Sequence, residues 1–398
     1  MFWIFILEQY YILNIQKSTL ILESSIKYAK INSKRYPFTL KEVSMIKLIS
    51  PFIFLAILTS LLFSRECPND INHSYLNIKY IGAKGNGEND DTAAIQHTID
   101  CGVKYHTPVY IPAGKYRITH PLILKTGLIL YGAGRFSQLL IESPIAFTMQ
   151  NNEGADFLHI HDFSLVYQHP TPSSKHTAFI LKSHRHSLFE NLYFYNFKNQ
   201  TICKLQPKYQ GKPAHNITFN SYRNWYVDTC RIGVVYQGLG KSGQKNPISI
   251  ISNNRWYDIT FRHVKESAIQ AVSWADSERW YNLYAQATSL NTILVNLNTS
   301  AITWNQIDRF HFYSPVLVYA PKLKNNPNLN VKAFRFGKGT FRHLVLGLIT
   351  DKVWQNGIIE DDNARSYYIL GNSGKGFYAQ PIILQKNYSS TIQLPSTP

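Results

Sequence analysis

The chain has 398 residues, 44% hydrophobic and only 16% charged, with 26 Tyr, 22 Phe and 7 Trp, which is enough apolar material for a long continuous core and excludes disorder over most of its length. Its formal charge is +17, and because residues 1–66 hold eight of the 41 basic and four of the 24 acidic residues, the remaining 33 against 20 leave the body at +13. A basic body favours polyanions; zinc-finger spacing and a basic helix ahead of heptads are both missing, so the expected partner is an acidic polysaccharide rather than nucleic acid.

The N-terminus comes first. From Met45 a short basic start leads into an apolar run from Phe52 to Phe63, followed by Ser64, Arg65 and Glu66. This matches a secretory signal, with a retained signal anchor as its rival, and the run is short for a membrane span. Residues 1–44 read as a non-native or disordered extension, with Met45 as the working start. The expected location is therefore secreted or cell envelope, with membrane contact only through this segment. Cys67, Cys101, Cys203 and Cys230 lack the close pairing of a zinc ribbon or redox dithiol; they read as buried thiols, with one disulfide open.

Between residues 77 and 134, Gly82, Gly85 and Gly87 allow tight turns. Asp91 can cap a helix whose apolar face is Ala94, Ile95 and Ile99, and the segment reads strand, turn, short helix. The run Asn77-Ile78-Lys79-Tyr80-Ile81-Gly82-Ala83, then Asp90-Asp91-Thr92-Ala93-Ala94-Ile95-Gln96, Val109-Tyr110-Ile111-Pro112-Ala113-Gly114 and Leu130-Tyr131-Gly132-Ala133-Gly134 resembles the N-terminal segment of the pectate-lyase superfamily, in its rhamnogalacturonase/epimerase-like branch, which also occurs in phage tailspikes. The resemblance implies an all-β fold over residues 72–398, a single-stranded right-handed parallel β-helix with a short N-terminal helix plugging its open end. It makes Asp90 and Asp91 structural, and allows a monomer or a homotrimer. Asn86 stands where the family usually has Asp.

A 24-residue period follows, in the columns Trp256, Trp280 and Trp304; Ile259, Leu283 and Ile307; and Ile269, Ile293 and Leu317. Leu192, Phe194 and Ile202 fit the same ruler as Ile259, Phe261 and Ile269, and Asp162–Leu165 and His343–Leu346 read as further rungs. Alternation within the rungs predicts short strands stacked into a parallel solenoid. Two polar excursions interrupt the period. One is Gly-rich, from Gly238 to Asn246, and the other spans 321–340 with Lys322, Lys324, Lys332, Arg335 and Lys338; either could wall a groove or form a solvated surface.

Hydrolysis of a glycoside needs two carboxyls across a groove. The acids on the coils are Asp228, Asp258, Glu266, Asp276, Glu278 and Asp308. Asp258 is matched in its column by Asn282 and Asn191 and reads as a polar stacking position. Glu266, just ahead of an apolar strand, ranks first as catalyst, followed by Asp228 and Asp276. The Gly-His-Gly and Arg-Ile-Lys steps of polygalacturonases are absent, which counts against that narrow activity. Lyase chemistry would draw its base from Arg255, Arg262, Lys265 or Arg279, and a calcium site lacks its cluster of acids. His263, His311 and His343 read as surface or stacking residues, with no metal and no cofactor expected. Trp225 and Trp274 are expected as sugar platforms, with Arg262, Lys265 and His263 as further substrate contacts; the repeated tryptophans read as packing. The expected function is cleavage of an acidic glycan by paired carboxylates, with glycan binding without catalysis and a lyase or epimerase as the alternatives.

Overall fold

The computed structural model describes residues 67, 74–149, 154–207, 216–238, 250–298, 307–323, 325–337 and 340–350, with three further strands at Ile358–Glu360, Tyr367–Ser373 and Gln380–Lys386. The chain divides into Met1–Glu66 and Cys67–Pro398, and all described residues belong to the second unit. The expected extension, the signal segment, Trp304, Lys324, Lys338 and the Gly-rich excursion beyond Gly238 lie outside them. Among the described residues no helix is long and apolar enough to cross a membrane.

The second unit is a parallel β-helix. A complete coil contributes four strands, as in Ile251–Ser252, Arg255–Tyr257 and the long strand Thr260–Ala271, which bends to serve as both third and fourth. Each strand pairs in parallel with its equivalent one coil away. The first full strand of each coil carries the inward column Val109, Leu130, Ile160, Phe189, Tyr222, Trp256, Trp280, Phe312, Val345 and Ile369, every member fully buried. Its rings stack face to face, Tyr222 on Trp256 at 3.8 Å and Trp256 on Trp280 at 4.5 Å. Offset stacking adds to the area that such large side chains bury.

Of the columns expected at a 24-residue period, the tryptophan column keeps it for one step, from Trp256 to Trp280, and the spacing recurs in that column only later, from Val345 to Ile369. The step after Trp280 runs to Phe312, with most of the added length falling between the paired positions Leu297 and Ile307. Phe312 thus fills the place expected of Trp304. Ile307 does not join Ile259 and Leu283 but continues the column Ile217, Ile251 and Ala275 in a separate six-stranded sheet. Ile269 stacks on Val295 rather than Ile293, and Leu317 on Ala285. Phe194 does share a column with Phe261, through Val227, whereas Cys203 and not Ile202 is aligned with Ile269.

Register is set at the turn between the first and second full strands. Asp162, Asn191, Asn224, Asp258, Asn282 and Ser314 all take left-handed backbone there, with φ between 51° and 61°, a conformation that Asn and Asp tolerate best among non-glycine residues. Their side chains form a ladder: Asn191 Nδ2 donates to Asp162 Oδ1 at 2.9 Å, Asn224 Nδ2 to Asn191 Oδ1 at 2.8 Å and Asn282 Nδ2 to Asp258 Oδ1 at 2.9 Å. The polar stacking role expected of Asp258 is therefore what the structure contains.

A second polar ladder runs inside. Asn220 Nδ2 donates to Asn254 Oδ1 at 2.9 Å, and Asn254 Nδ2 to Glu278 Oε1 at 2.7 Å, while Trp256 Nε1 donates to Glu278 Oε2 at 3.1 Å. Glu278 is thereby a structural acid.

The ends of the solenoid are covered by different devices. Helix α1, Thr92–Tyr105, buries Ile95 and Ile99. Its Gln96 accepts from Ile123 N at 2.7 Å and donates to Ile123 O at 3.3 Å, pairing a strand edge that would otherwise invite another chain. Asp91 does not cap this helix with its side chain, as expected of it; its carboxylate instead accepts from Lys84 N and Gly85 N at 2.6 and 3.1 Å. Asp91 still occupies the N-cap position, while the side-chain acceptor at the first turn is Asp90, whose Oδ1 accepts from Thr92 N at 3.0 Å. Both acids are structural, and Gly85 is required at its φ of 65°, since an added Cβ would lie 2.7 Å from the Tyr116 ring. Cys67 and Cys101 form a disulfide onto α1, while Cys203 and Cys230 are buried free thiols that burial pushes up. At the other end Gln380–Lys386 pairs antiparallel with Tyr367–Ser373.

Complete burial pushes Glu278 up to about 7 and His184 and His343 down to about 3. Between pH 6.5 and 3 the unfolded chain protonates both histidines before the fold does, so they remove stability on acidification. Glu278 takes its proton in the fold first, so between pH 7 and 4.5 it adds stability on acidification. Thermal unfolding of Glu278→Gln should accordingly show a steeper loss of Tm from pH 7 to 5 than the parent; an equal or shallower slope contradicts the buried-acid assignment.

Candidate functional site

The outer face of the second full strands gathers aromatic and basic side chains. Alternation turns Leu192, Phe194, Val227 and Phe261 inward and leaves Tyr193, Tyr195, Tyr226 and Arg262 outside. Tyr193, Tyr226, Thr260 and Tyr284 are in register across four coils. The Arg135 guanidinium, carried on the short helix Gly134–Phe136, lies 4.5 Å from the Tyr193 ring centre and 5.7 Å from that of Tyr226. Arg262 Nη1 donates to Tyr226 Oη at 3.2 Å.

Three sequence-predicted residues meet on this face: Asp228, Arg262 and His263. His263 Nδ1–H donates to the Asp228 backbone carbonyl at 2.8 Å and lies 3.8 Å from Asp228 Oδ1. That bond places a hydrogen on Nδ1, so that in the neutral ring Nε2 is the nitrogen with the lone pair. Both side chains remain over a third exposed, within reach of a ligand.

The other predicted residues fall elsewhere. Glu266 lies past the bend of Thr260–Ala271, where Arg231 Nη1 donates to its Oε2 at 2.5 Å; Arg231 also bonds Ser174 O and Thr201 Oγ1. Lys265 Nζ donates to Asn199 Oδ1 at 2.6 Å. Asp276 belongs to the six-stranded sheet and is clamped by the Arg309 guanidinium, whose Nε donates at 2.8 Å. The three ranked carboxylates thus stand at three different positions around the coil and are not assembled into one site. Each of Glu266 and Asp276 is held by an arginine.

The tryptophan expectation is corrected by burial. Trp225 is 1% exposed, packed against Phe194 at 5.3 Å and Trp256 at 5.6 Å, with Nε1 donating to Phe189 O. Trp274 is 8% exposed, and a Cβ added at Gly238 would strike its carbonyl. Neither offers an open ring face to a sugar. The exposed aromatic surface is instead a stack of Phe157, His186 and Phe219, with centroids 5.6 Å apart and the two phenylalanines 61% and 57% exposed. Phe219 borders a cleft of about 210 Å³ lined also by Asn253, Arg255, Ser277 and Arg279. Sequence reasoning named Arg255 and Arg279 as possible bases but missed the stack, whose members come from three successive coils at unequal spacing.

Among the described residues two groups have the make-up of a metal site. Cys67, His97 and Cys101 form one, with both sulfurs committed to the disulfide; His159, His161 and Glu190 form the other. Calcium, which lyase chemistry on this fold can employ, does not fit the face around Asp228: one carboxylate there falls far short of six to eight oxygens.

Fold and site together define a parallel β-helix with an outward, basic and aromatic face of the kind that meets polysaccharides. Residues 75–311, more than half of the chain, match the family described as rhamnogalacturonase A/epimerase, pectate lyase-like, and the chain belongs to that family. It is 42% identical over 66 residues to alginate lyase 7 of Azotobacter vinelandii, a match that covers 15% of this chain and 8% of that relative's length. Among solved structures it is similar to the Streptococcus pneumoniae surface protein and adhesin PfbA, at 14% identity and TM-score 0.41, covering 75% of this chain and 98% of that one. It is similar also to an Acinetobacter phage tailspike, at 10% identity and TM-score 0.43, covering 83% and 67%.

Because Trp225 is a packing residue, Trp225→Ala should lower unfolding stability by about 3–5 kcal/mol while leaving glycan affinity of the folded fraction unchanged. Denaturant titration beside a binding assay checks both halves, and a selective loss of binding would return Trp225 to the ligand surface.

Proposed function

We propose that the chain is an extracytoplasmic acidic-polysaccharide-active protein that cleaves a uronate polymer by β-elimination on the face formed by Arg135, Tyr193, Tyr226, Asp228, Arg262 and His263. The observation that carries this reading is the assembly of His263, Arg262 and Tyr226 around one carboxylate. Hydrolysis requires two carboxyls of different protonation at one groove, and the ranked acids other than Asp228 are held away by arginines. Elimination requires a positive charge on the uronate carboxylate, a base for the adjacent carbon-bound proton and an acid for the leaving oxygen. Arg262, with Arg135 beside it, supplies the charge. His263 Nε2 takes the proton as the carbon–carbon double bond forms and the glycosidic C–O bond breaks. Tyr226 Oη protonates the leaving oxygen. Asp228 stands beside the imidazolium so formed and stabilises it. The body's net charge of +13 supports an acidic substrate, and the Cys67–Cys101 disulfide supports an oxidising location.

A second reading, glycan binding without catalysis, is favoured by the exposed Phe157, His186 and Phe219 stack, since stacked aromatic faces beside Arg255 and Arg279 suit sugar rings and their acidic groups.

Incubating the full chain with polygalacturonate and with alginate, and following the ultraviolet absorbance of unsaturated ends alongside reducing ends, separates the readings. Absorbance should appear, and His263→Ala should lower kcat about 10²–10⁴-fold, while Arg262→Ala chiefly raises KM. Reducing ends without absorbance would overturn elimination in favour of hydrolysis. Binding with no product would leave the recognition half alone standing.

A further inference from the structure

We propose that His159, His161 and Glu190 form a binding site for a divalent first-row transition metal, with Zn²⁺ the best match, that ties two successive coils together. The assignment is independent of the elimination chemistry above.

The site follows from strand geometry. Residues two apart on a strand emerge on the same face, so His159 and His161, both in the strand His159–Tyr167, stand side by side with ring centroids 4.1 Å apart. Parallel pairing places Glu190 of the next coil in register with His161. His159 Nε2 is 2.8 Å from Glu190 Oε1, and one donor atom from each of the three residues lies within 4.8 Å of the others. Ligands on a tetrahedral zinc ion, at about 2.0–2.1 Å from it, are roughly 3.3 Å apart. Side-chain rotation on a fixed backbone can supply that closure.

The surroundings orient the ligands as metal sites require. His161 Nδ1 is 2.6 Å from Asp162 Oδ2, and Asp162 is itself held by Asn191 Nδ2 at its other oxygen. A carboxylate accepting from Nδ1–H fixes the tautomer and presents Nε2 as a lone pair, the second contact found behind most metal-bound histidines. Tyr131 stacks on the His161 ring at 5.4 Å and 13°, fixing its plane. Arg223, in register beyond Glu190, is the cation that could compete for that carboxylate, but its guanidinium lies over Tyr257 at 5.2 Å. Two nitrogens and one oxygen suit Zn²⁺ and leave a fourth position for water, whereas calcium needs many more oxygens. A histidine–glutamate hydrogen bond with no affinity for metal is the competing account.

The test uses untagged full-length protein, stripped with EDTA, in calorimetric titrations with ZnCl₂ and with CaCl₂. One saturable Zn²⁺ per chain is expected, with none for Ca²⁺. His161→Ala and Glu190→Gln should each weaken Zn²⁺ binding at least about tenfold, and Asp162→Asn, which keeps the turn residue compatible with left-handed backbone, about 10–100-fold. His186→Ala, on another corner of the coil, should leave it unchanged. Zn²⁺ should raise the Tm of the parent and not that of His161→Ala; His159→Gln replaces any variant that fails to unfold cooperatively. Absence of saturable binding, or affinity unchanged in the ligand variants, overturns the site.

Discussion

The structure depends on one repeated bend: a left-handed residue between the first and second full strands of successive coils, occupied by Asp162, Asn191, Asn224, Asp258, Asn282 and Ser314. Each bend turns the chain at the same place and bonds its backbone to the coil above, as Asn224 N does to Tyr257 O and Asp258 N to Tyr281 O. Once the bends are stacked, alternation does the rest: every inward residue falls over an inward residue and every outward one over an outward one. The aromatic column from Phe189 to Phe312 is a consequence of this registry as well as a source of stability. The columns of Tyr193 and Tyr226 outside are its other consequence.

The fold was legible because the residues that make these bends and the N-terminal cap are chemically restricted. Glycine at position 85, Asn or Asp at the turns and an apolar helix face at Ile95 and Ile99 have few substitutes. The period was legible in the tryptophan column for only one step. Connections between strands tolerate added residues without disturbing the strands on either side, so the spacing of 24 between Trp256 and Trp280 does not extend to Phe312. Columns extrapolated past the added length land on the wrong strand, as Ile307 does. Nothing in the local sequence marks where the added length falls.

The candidate site was legible in part, for a related reason. Arg262 and His263 were named in the sequence as possible substrate contacts, and the structure puts Arg262 on the outer side because alternation sends it opposite the inward Phe261. The same alternation places Tyr226 outside and Trp225 inside, but a tryptophan away from the repeated positions suggested a sugar platform instead. The partners of Glu266 and Asp276 were invisible: Arg231 and Arg309 are each more than 30 residues away in sequence, and only coil-to-coil stacking makes them neighbours. His159 and His161 did carry a signal, two imidazoles at strand spacing. Its completion by Glu190 likewise depends on the register of the next coil.

The distribution of arginine decides what chemistry this surface can support. Glu142 is paired with Arg117, Asp156 with Arg185, Glu266 with Arg231, Asp276 with Arg309 and Asp308 with Arg342. A carboxylate whose oxygens accept from a guanidinium is less free to turn toward a leaving sugar. It is also a poor nucleophile while its oxygens are engaged. Asp228 differs from these in facing an imidazole, a ring that can accept as well as donate a proton. Under the proposed elimination, the single carboxylate beside His263, with Arg262 bonded to Tyr226 Oη, lacks the second acid of a glycosidase but offers the base and positive charge that removal of a proton next to a uronate carboxylate demands. On the proposed reading, arginines engage five acids of the coils, and Arg262 and Arg135 remain on the face where an acidic polymer would lie.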